Sequence, residues 1–308
     1  MKTLLIVGFG DVAQRATPAL LANFHVLALV RTSDAAERAT RVGVSPVIGD
    51  LDRPETLAPL AGAAEYVLHL APPDANGGRD ARTRSLVDAL SARGMVAHAN
   101  RSIRHLERLV YVSTSGVYGD CCGARVDERR PVNPQSDRAR RRVDAEQTLL
   151  DWGRREGVHI IILRVPGIYA ADRLPIERIE RGTPALRAED DVFTNHIHAD
   201  DLATVCMAAL TRGGRGRIYN VSDDSEMKMG EYFDLVADRA GLPRPPRIAR
   251  AEAPGKISPM ALSFMSESRR LVNRRMKDEL GIVLRYPTVH EGVPRQIDRA
   301  ASVAGRRR

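Results

Sequence analysis

The stretch LLIVGFGDVAQR, close to the start of the chain, constrains the fold more than any other feature. An apolar run leads into Gly8-Phe9-Gly10, and a segment with helical spacing follows, with a small residue at Ala13. In this G-x-G-x-x-A spacing, the first glycine permits a tight turn and the second lets the backbone approach a diphosphate. The N–H groups at the start of the helix then face the phosphate charge. The predicted dinucleotide-binding turn comprises Gly8, Phe9, Gly10, Asp11 and Val12, with Asp11 expected to cap the helix.

The same alternation of short apolar runs and longer amphipathic stretches continues through residue 165. The predicted strands span residues 2–7, 25–30, 45–49, 65–71, 108–113 and 159–165, and the predicted helices span 11–22, 79–99 and 137–155. Strands buried on both faces appear in a sequence as continuous apolar runs, and strands that are connected by helices run parallel to each other. The pattern predicts an α/β fold with a doubly wound parallel Rossmann sheet.

The alternation breaks after residue 166, where proline, glycine and charged residues become frequent. Helical spacing returns at 198–213, 228–241 and 266–280, with one more strand at 217–222. We predict a dinucleotide-binding Rossmann domain over 1–168 plus 194–222. A small substrate-binding cap is predicted over 169–193 plus 223–300, and a basic tail over 301–308.

The end of the second strand bears on the choice of cofactor. An acidic residue there would bind the ribose 2′-hydroxyl of NAD, whereas arginine accommodates the 2′-phosphate of NADP. The strand is followed by Arg31, Thr32 and Ser33, and Asp34 comes only later. A guanidinium can bind phosphate through two hydrogen bonds, and the hydroxyls add donors. NADP is therefore preferred, while NAD stays open.

The net charge of +8 raises the question of nucleic-acid binding. The excess is spread through the chain as arginine, without interleaved aromatic residues, so we expect no nucleic-acid partner. In the predicted helix over 137–155, helical spacing places Arg140 and Arg141 away from the apolar face, and we expect both to be solvated.

No apolar stretch is long enough to span a bilayer, and no complete signal sequence is present, so a cytoplasmic protein without membrane contact is expected. The pair His196 and His198 with Asp200 and Asp201 lacks a further ligand cluster, and no metal site is expected.

Several further motifs occur in a characteristic order: VIGDL (47–51), HLAPP (69–73), YVSTSGVYGD (111–120), LRVPGIYA (163–170) and HIHADDLA (196–203). With the glycine turn, they resemble the short-chain dehydrogenase/reductase superfamily, in its extended nucleotide-sugar epimerase/dehydratase-like branch. The resemblance implies an NAD(P)-dependent oxidoreductase or epimerase. It places Thr114 at the reacting carbonyl or hydroxyl. It also implies cofactor contacts from Asp50 and Leu51 at the adenine, Ala71 and Pro72 at the ribose and diphosphate, and Pro166, Gly167 and Ile168 at the nicotinamide.

The chain departs from this family at the catalytic pair. The resemblance implies Tyr-x-x-x-Lys on the helix after the YG motif, but those positions fall on Arg138 and Arg142, and no tyrosine in the chain has a lysine four residues later. Arginine stays protonated, so Arg138 is a poor general acid or base, whereas Arg142 can still donate to the nicotinamide ribose. The remaining candidates for proton transfer are Tyr118, Thr114 with water, and Tyr169.

Two functions therefore stay open. The first is an enzyme that transfers a hydride to or from a sugar-like or nucleotide-linked small molecule, with a non-standard proton relay. The alternative is a catalytically silent NADP-binding regulator or scaffold, which the absent Tyr and Lys favour. The resemblance also implies a homodimer formed through the helices over 79–99 and 137–155.

Overall fold

Seven parallel strands form the central sheet of the computed structural model, which describes residues 1–75, 77–92 and 105–297. Their bounds are β1 Thr3–Val7, β2 His25–Val30, β3 Ser45–Ile48, β4 Tyr66–His69, β5 Arg108–Thr114, β6 His159–Val165 and β7 Arg217–Asn220. Each predicted strand is present within a few residues of its predicted ends. The predicted fold class is confirmed.

Three of the helices that cover the sheet begin at side chains that cap them. Thr32, Asp80 and Ser136 each accept a hydrogen bond from a backbone N–H in the first turn of the helix that follows. The bounds are α1 Asp11–Leu21, α2 Ser33–Arg41, α3 Ala81–Ser91, α4 Asp137–Glu156, α5 Ile176–Glu180, α6 Ala199–Arg212, α7 Met229–Ala240, α8 Pro259–Phe264, α9 Arg274–Leu280 and α10 Val289–Gly292. The predicted helix over 79–99 is confirmed as α3 over residues 81–91, and its positions 93–99 lie outside the described residues.

The order of the strands places a crevice at the middle of the sheet. The order is β7-β6-β5-β4-β1-β2-β3, so β2 and β3 lie on one side of β1 and β4 to β7 on the other, and the strand order reverses between β1 and β4. Alternate residues of β1 enter the two cores: Leu4 and Ile6 pack on one face, and Leu5 and Val7 on the other. In open parallel sheets, ligands bind beyond the carboxyl ends of the strands at such a reversal.

A further cluster of buried apolar residues lies apart from these two cores. It draws on both stretches assigned to the cap, for example Ile176 and Ile179 from α5 and Val236 from α7. Met276 and Leu280 of α9, which lie in the same assigned range, instead pack in a core of the sheet. The division into two domains stays a prediction, and its basic tail (301–308) lies outside the described residues.

The predicted helix over 266–280 is wrong in its first half. Arg270–Leu271 form a short strand that pairs in parallel with Arg125–Val126, and α9 begins only at Arg274. The amide oxygen of Asn195 accepts a hydrogen bond from Leu271 N at 2.8 Å, so contacts distant in sequence determine this segment. Within the described ranges, no helix is long and apolar enough to cross a membrane.

Candidate cofactor and substrate site

The turn between β1 and α1 requires its first glycine. Gly8 has φ of +97°, and a β-carbon added there would lie 2.5 Å from the backbone nitrogen of Ala71. The second glycine differs, because a β-carbon added at Gly10 would meet no protein atom within 4 Å. Gly8 thus allows two strand ends to approach each other, whereas Gly10 borders open space that a diphosphate fits.

The first turn of α1 has no side-chain cap. Gly10 occupies the N-cap position and has no side chain to accept a hydrogen bond. The Asp11 carboxylate accepts instead from Arg15 Nε and from Arg173 Nη1, at 2.9 Å each. The expected capping role of Asp11 is therefore wrong, because two guanidinium groups hold its carboxylate. The uncapped donors, together with the helix dipole, suit an anionic group.

A cavity of about 440 Å³ opens between the carboxyl ends of β1, β2 and β4. Most of the residues predicted for the adenosine half of the cofactor line it, namely Gly8, Phe9, Gly10, Arg31, Asp50, Leu51, Ala71 and Pro72. Thr32 and Ser33 do not line it. The Thr32 hydroxyl accepts from Ala35 N at 3.3 Å as the cap of α2, and Ser33 borders a separate shallow depression.

Two arginines, Arg31 and Arg82, line this adenosine cavity. Arg82, which the sequence reasoning missed, lines it beside Arg31. Arg82 forms two hydrogen bonds with the Asp52 carboxylate, at 2.6 and 2.7 Å, and also donates to the carbonyl of Pro72. The Arg82 hydrogen bond lowers the pKa of Asp52, and the nearby charge of Arg31 lowers it further. The sequence did contain a signal for Arg82, because it lies in the first turn of the helix that follows the HLAPP motif. That motif begins at the end of β4, which neighbours β1 in the sheet.

A second cavity, of about 290 Å³, continues from the glycine turn toward β5 and β6. The residues predicted for the turn and the nicotinamide half of the cofactor meet there, namely Asp11, Val12, Thr114, Arg142, Pro166 and Ile168. Arg142 Nη1 donates to the Tyr111 hydroxyl at 2.8 Å and to the Val112 carbonyl at 2.9 Å. Backbone and side-chain contacts thus fix the Arg142 guanidinium at the edge of this nicotinamide cavity.

The arginine-rich start of α4 divides between three environments. Arg140 is exposed and pairs with Asp137, whereas Arg141 is buried and donates to the carbonyl of Gly77. A solvent-facing role for Arg141, which helical spacing suggests, is therefore wrong. Arg138 and Arg142 face the cavities. Arg140, Arg141 and Arg142 each have a polar partner, and the stretch is not a uniform basic surface.

A third cavity, of about 500 Å³, adjoins the nicotinamide cavity on the side of the predicted cap. Thr114, Pro166 and Ile168 line both, so this third space is the candidate substrate cavity. Thr114 Oγ1 accepts from Gly116 N at 3.2 Å, which leaves the hydroxyl proton able to donate. Residues from the ranges assigned to the predicted cap also line this cavity, and no sequence signal pointed to them, among them Arg178, Phe193, Met229, Phe233, Phe264 and Met265.

The two tyrosines considered for proton transfer do not face these cavities. Tyr118 is 1% exposed, and its hydroxyl donates to Asn220 Oδ1 at 2.8 Å. Tyr169 is equally buried, and its hydroxyl donates to the carbonyl of Thr288 at 3.3 Å. Burial raises the pKa of both phenols. Among the described residues, no tyrosine lines the nicotinamide or substrate cavity.

A buried ion pair supports the strand that carries Thr114. Arg164 of β6 and Glu146 of α4 are paired at 2.7 Å, and both side chains are 5% exposed. Ser113 donates to the same carboxylate at 2.6 Å. Glu146 therefore does not face the cofactor space, although it continues the helical row of Arg138 and Arg142. It joins α4 to the ends of β5 and β6.

His196 and His198 lie in a short strand, His196–His198, that pairs with Gly167–Tyr169. Their rings contact tyrosine rings, and burial lowers the pKa of His196 to about 3. Across the described ranges, no three side chains of His, Cys, Asp or Glu are grouped as metal ligands.

Comparison with known proteins agrees with this geometry. The model of the NAD dependent epimerase/dehydratase family matches residues 4–222. The 4-hydroxy-2-methyl-3-oxo-4-farnesyl-3,4-dihydroquinoline-1-oxide ketoreductase of Stigmatella aurantiaca is 26% identical over 79% of this chain and 74% of its own length. The GDP-6-deoxy-D-mannose reductase of Pseudomonas aeruginosa is 28% identical, over 55% of this chain and 59% of its own.

Solved structures show the same fold. A conserved protein of unknown function from Silicibacter pomeroyi has a TM-score of 0.77 and 29% identity, covering 95% of this chain and 96% of its own. The dTDP-glucose 4,6-dehydratase of Bacillus anthracis, solved with NAD, has a TM-score of 0.76 at 14% identity, covering 99% of this chain and all of its own. The family match spans more than two thirds of the sequence and includes both the glycine turn and Thr114. The chain belongs to the NAD-dependent epimerase/dehydratase family, within the extended short-chain dehydrogenase/reductase branch.

Proposed function

We propose that this protein is an NADP-dependent oxidoreductase that transfers a hydride to or from a sugar-like or nucleotide-linked small molecule. The observation that carries the proposal is the position of Thr114, whose hydroxyl lies where the nicotinamide and substrate cavities meet. Two similar proteins are named as reductases, which supports reduction as the favoured direction.

The cofactor proposal rests on the two arginines at the adenosine end. Arg31 follows β2 directly, and Arg82 reaches the same space from α3. Guanidinium groups bind phosphate more strongly than a neutral ribose hydroxyl. The family is NAD-dependent by its description, and a neighbouring structure contains NAD. NADP is the preference that we assign to this chain.

The residues present suggest how the reaction is organised. A bound nicotinamide cofactor supplies the hydride. The Thr114 hydroxyl donates a hydrogen bond to the substrate carbonyl oxygen, which accumulates negative charge as the hydride reaches the carbon. Arg142 holds the ribose beside the nicotinamide. The alcohol is completed by a proton from water, relayed at Thr114, since the hydroxyls of Tyr118 and Tyr169 are occupied elsewhere.

The test of this proposal is the oxidation of NADPH in the presence of sugar nucleotides and small carbonyl compounds. Removing one donor to a developing oxyanion costs roughly a hundredfold in kcat, so Thr114→Ala should lose about that much. Thr114→Ser keeps the hydroxyl and should retain most of the activity. Turnover by Thr114→Ala at the wild-type rate would exclude the role assigned to Thr114.

One observation favours the alternative function, a silent NADP-binding regulator or scaffold. The buried phenols of Tyr118 and Tyr169 leave the reaction without the usual proton carrier. Tight NADPH binding without turnover of any compound in the panel, in wild type and Thr114→Ala alike, would support this alternative. A homodimer formed through α3 and α4, and a cytoplasmic location, also remain predictions.

A further inference from the structure

The substrate cavity has a strong excess of positive charge. Four arginines line it, Arg138, Arg173, Arg178 and Arg269, together with one carboxylate, Glu267. The net charge of these five side chains is +3, from four positive charges and one negative. Removing cations from water is costly unless partners compensate them, so the partners of each arginine are informative.

Three of the four arginines have such partners. Arg173 pairs with Asp11 at 2.9 Å, and Arg269 pairs with Glu267 at the same distance. Arg178 donates to two backbone carbonyls that follow α5, at 2.6 and 2.9 Å, and stacks on Phe233. Each of these three has a structural role that explains its position.

Arg138 is the exception. Its guanidinium carbon lies 4.0 Å from the centre of the Phe264 ring. Across residues 1–75, 77–92 and 105–297, no hydrogen bond or ion pair involves its side chain. Glu267 is near enough to act on it electrostatically, but that carboxylate is already paired with Arg269. Burial lowers the pKa of Arg138, yet arginine remains protonated. An unpaired guanidinium, stacked and partly buried, faces the substrate cavity.

The surroundings limit what such a group can bind. The cavity wall as a whole is largely apolar, with Phe193, Met229, Met265 and the Phe264 that stacks on Arg138 among its side chains. One free guanidinium suits one planar anionic group, which it binds through two parallel hydrogen bonds. A nucleotide diphosphate has two charged groups and a polar ribose, and suits this wall less well.

The position of Arg138 on α4 relates this anion site to the chemistry. Arg142, one helical turn later, lines the nicotinamide cavity, so Arg138 lies one turn further into the substrate space. Thr114 lines both cavities. An anion bound by Arg138 would therefore belong to the same small molecule as the oxygen held by Thr114.

We propose that the substrate is a keto acid or hydroxy acid whose carboxylate is bound by Arg138 while its reacting oxygen lies at Thr114. This inference rests on the proposed function and narrows its substrate to an acid, including a sugar acid. In reduction, the keto carbon gains a hydride and its oxygen gains a proton from water, while the nicotinamide cofactor is oxidised. The carboxylate is unchanged.

The test is a binding measurement that needs no turnover. Purified full-length protein with NADP⁺ is titrated calorimetrically with phenylacetate and with its neutral counterpart, phenylacetamide. If the carboxylate forms a hydrogen-bonded ion pair with Arg138, phenylacetate should bind at least roughly tenfold more tightly than phenylacetamide. Arg138→Met keeps an apolar chain against Phe264 and should abolish the preference, whereas Arg138→Lys should keep part of it.

The matched control is Arg140→Met. Arg140 is an exposed arginine on the same helix, so its replacement makes the same change in net charge and should keep the preference for phenylacetate. Equal binding of acid and amide, no saturable binding of the acid, or a preference that persists in Arg138→Met would overturn the proposal. The proposal would also be overturned if Arg138→Met weakened the binding of UDP-glucose but not the binding of phenylacetate. NADPH titration of each variant separates these outcomes from a failure of the cofactor proposal.

Discussion

Replacing either glycine of the β1–α1 turn by alanine should have a different effect. Gly8→Ala should reduce stability, whereas Gly10→Ala should reduce cofactor affinity. At Gly8, a β-carbon would lie 2.5 Å from Ala71 N and 2.9 Å from Ala71 Cα, and φ is +97°. Positive φ costs about 1–2 kcal/mol for a residue with a β-carbon, and forcing atoms into a packed region costs about 1–3 kcal/mol. Gly8→Ala should therefore lower the free energy of unfolding by roughly 2–5 kcal/mol.

Gly10→Ala should behave differently. Its φ is −96°, which alanine adopts freely, and no protein atom lies within 4 Å of the added carbon. The stability of the cofactor-free protein should fall by about 1 kcal/mol at most, the difference between glycine and alanine at an N-cap. The added methyl group occupies space that we assign to the diphosphate, so NADPH affinity should fall about tenfold or more.

The assay is urea unfolding of the cofactor-free variants combined with calorimetric titration by NADPH. We expect Gly8→Ala to be unstable and Gly10→Ala to be stable but deficient in binding. If Gly10→Ala binds NADPH as tightly as wild type does, the diphosphate does not lie beside Gly10. If Gly8→Ala is as stable as wild type, the close approach to Ala71 is not a constraint.

The remaining predictions concern cofactor choice, the buried ion pair and pH. Arg31→Ala should reduce the preference for NADPH over NADH about tenfold, measured as the ratio of the two affinities, and an unchanged ratio would refute the 2′-phosphate assignment. Glu146→Gln leaves Arg164 buried without its counter-charge and should cost about 3–5 kcal/mol in urea unfolding; a loss below 1 kcal/mol, about the effect of a surface pair, would contradict this. His196 is buried and neutral, with its pKa lowered to about 3 from 6.5. Its contribution to stability is full above pH 6.5 and is lost as pH falls toward 3, by about 1.4 kcal/mol per pH unit. His196→Phe should therefore show a shallower loss of stability than wild type over that range, and parallel curves would count against a neutral His196.

The sequence predicted the sheet well because its signals are local. Continuous apolar runs identify buried parallel strands, and the glycine spacing after β1 identifies the turn that the structure contains. The ordered motifs then placed Asp50, Ala71, Thr114 and Pro166, and all of them line the cavities.

The interpretation was less successful where tertiary contacts decide a side chain's surroundings. The spacing of α4 suggested a solvated Arg141, but its side chain is buried and donates to the carbonyl of Gly77. Tyr118 follows Thr114 closely in sequence, yet the turn over Ser115–Tyr118 directs its hydroxyl to Asn220. Arg82 belongs to a helix far from the second strand in sequence, and only the strand order makes it a neighbour of Arg31.

Every proposal made for this protein requires that NADPH bind in the crevice between β1 and β4. Calorimetric titration of the purified full-length protein with NADPH and with NADH tests it most directly. We expect saturable binding of one NADPH per chain, about tenfold or more tighter than the binding of NADH. The absence of saturable binding at millimolar NADPH, or saturable binding that Gly10→Ala leaves unchanged, would contradict it.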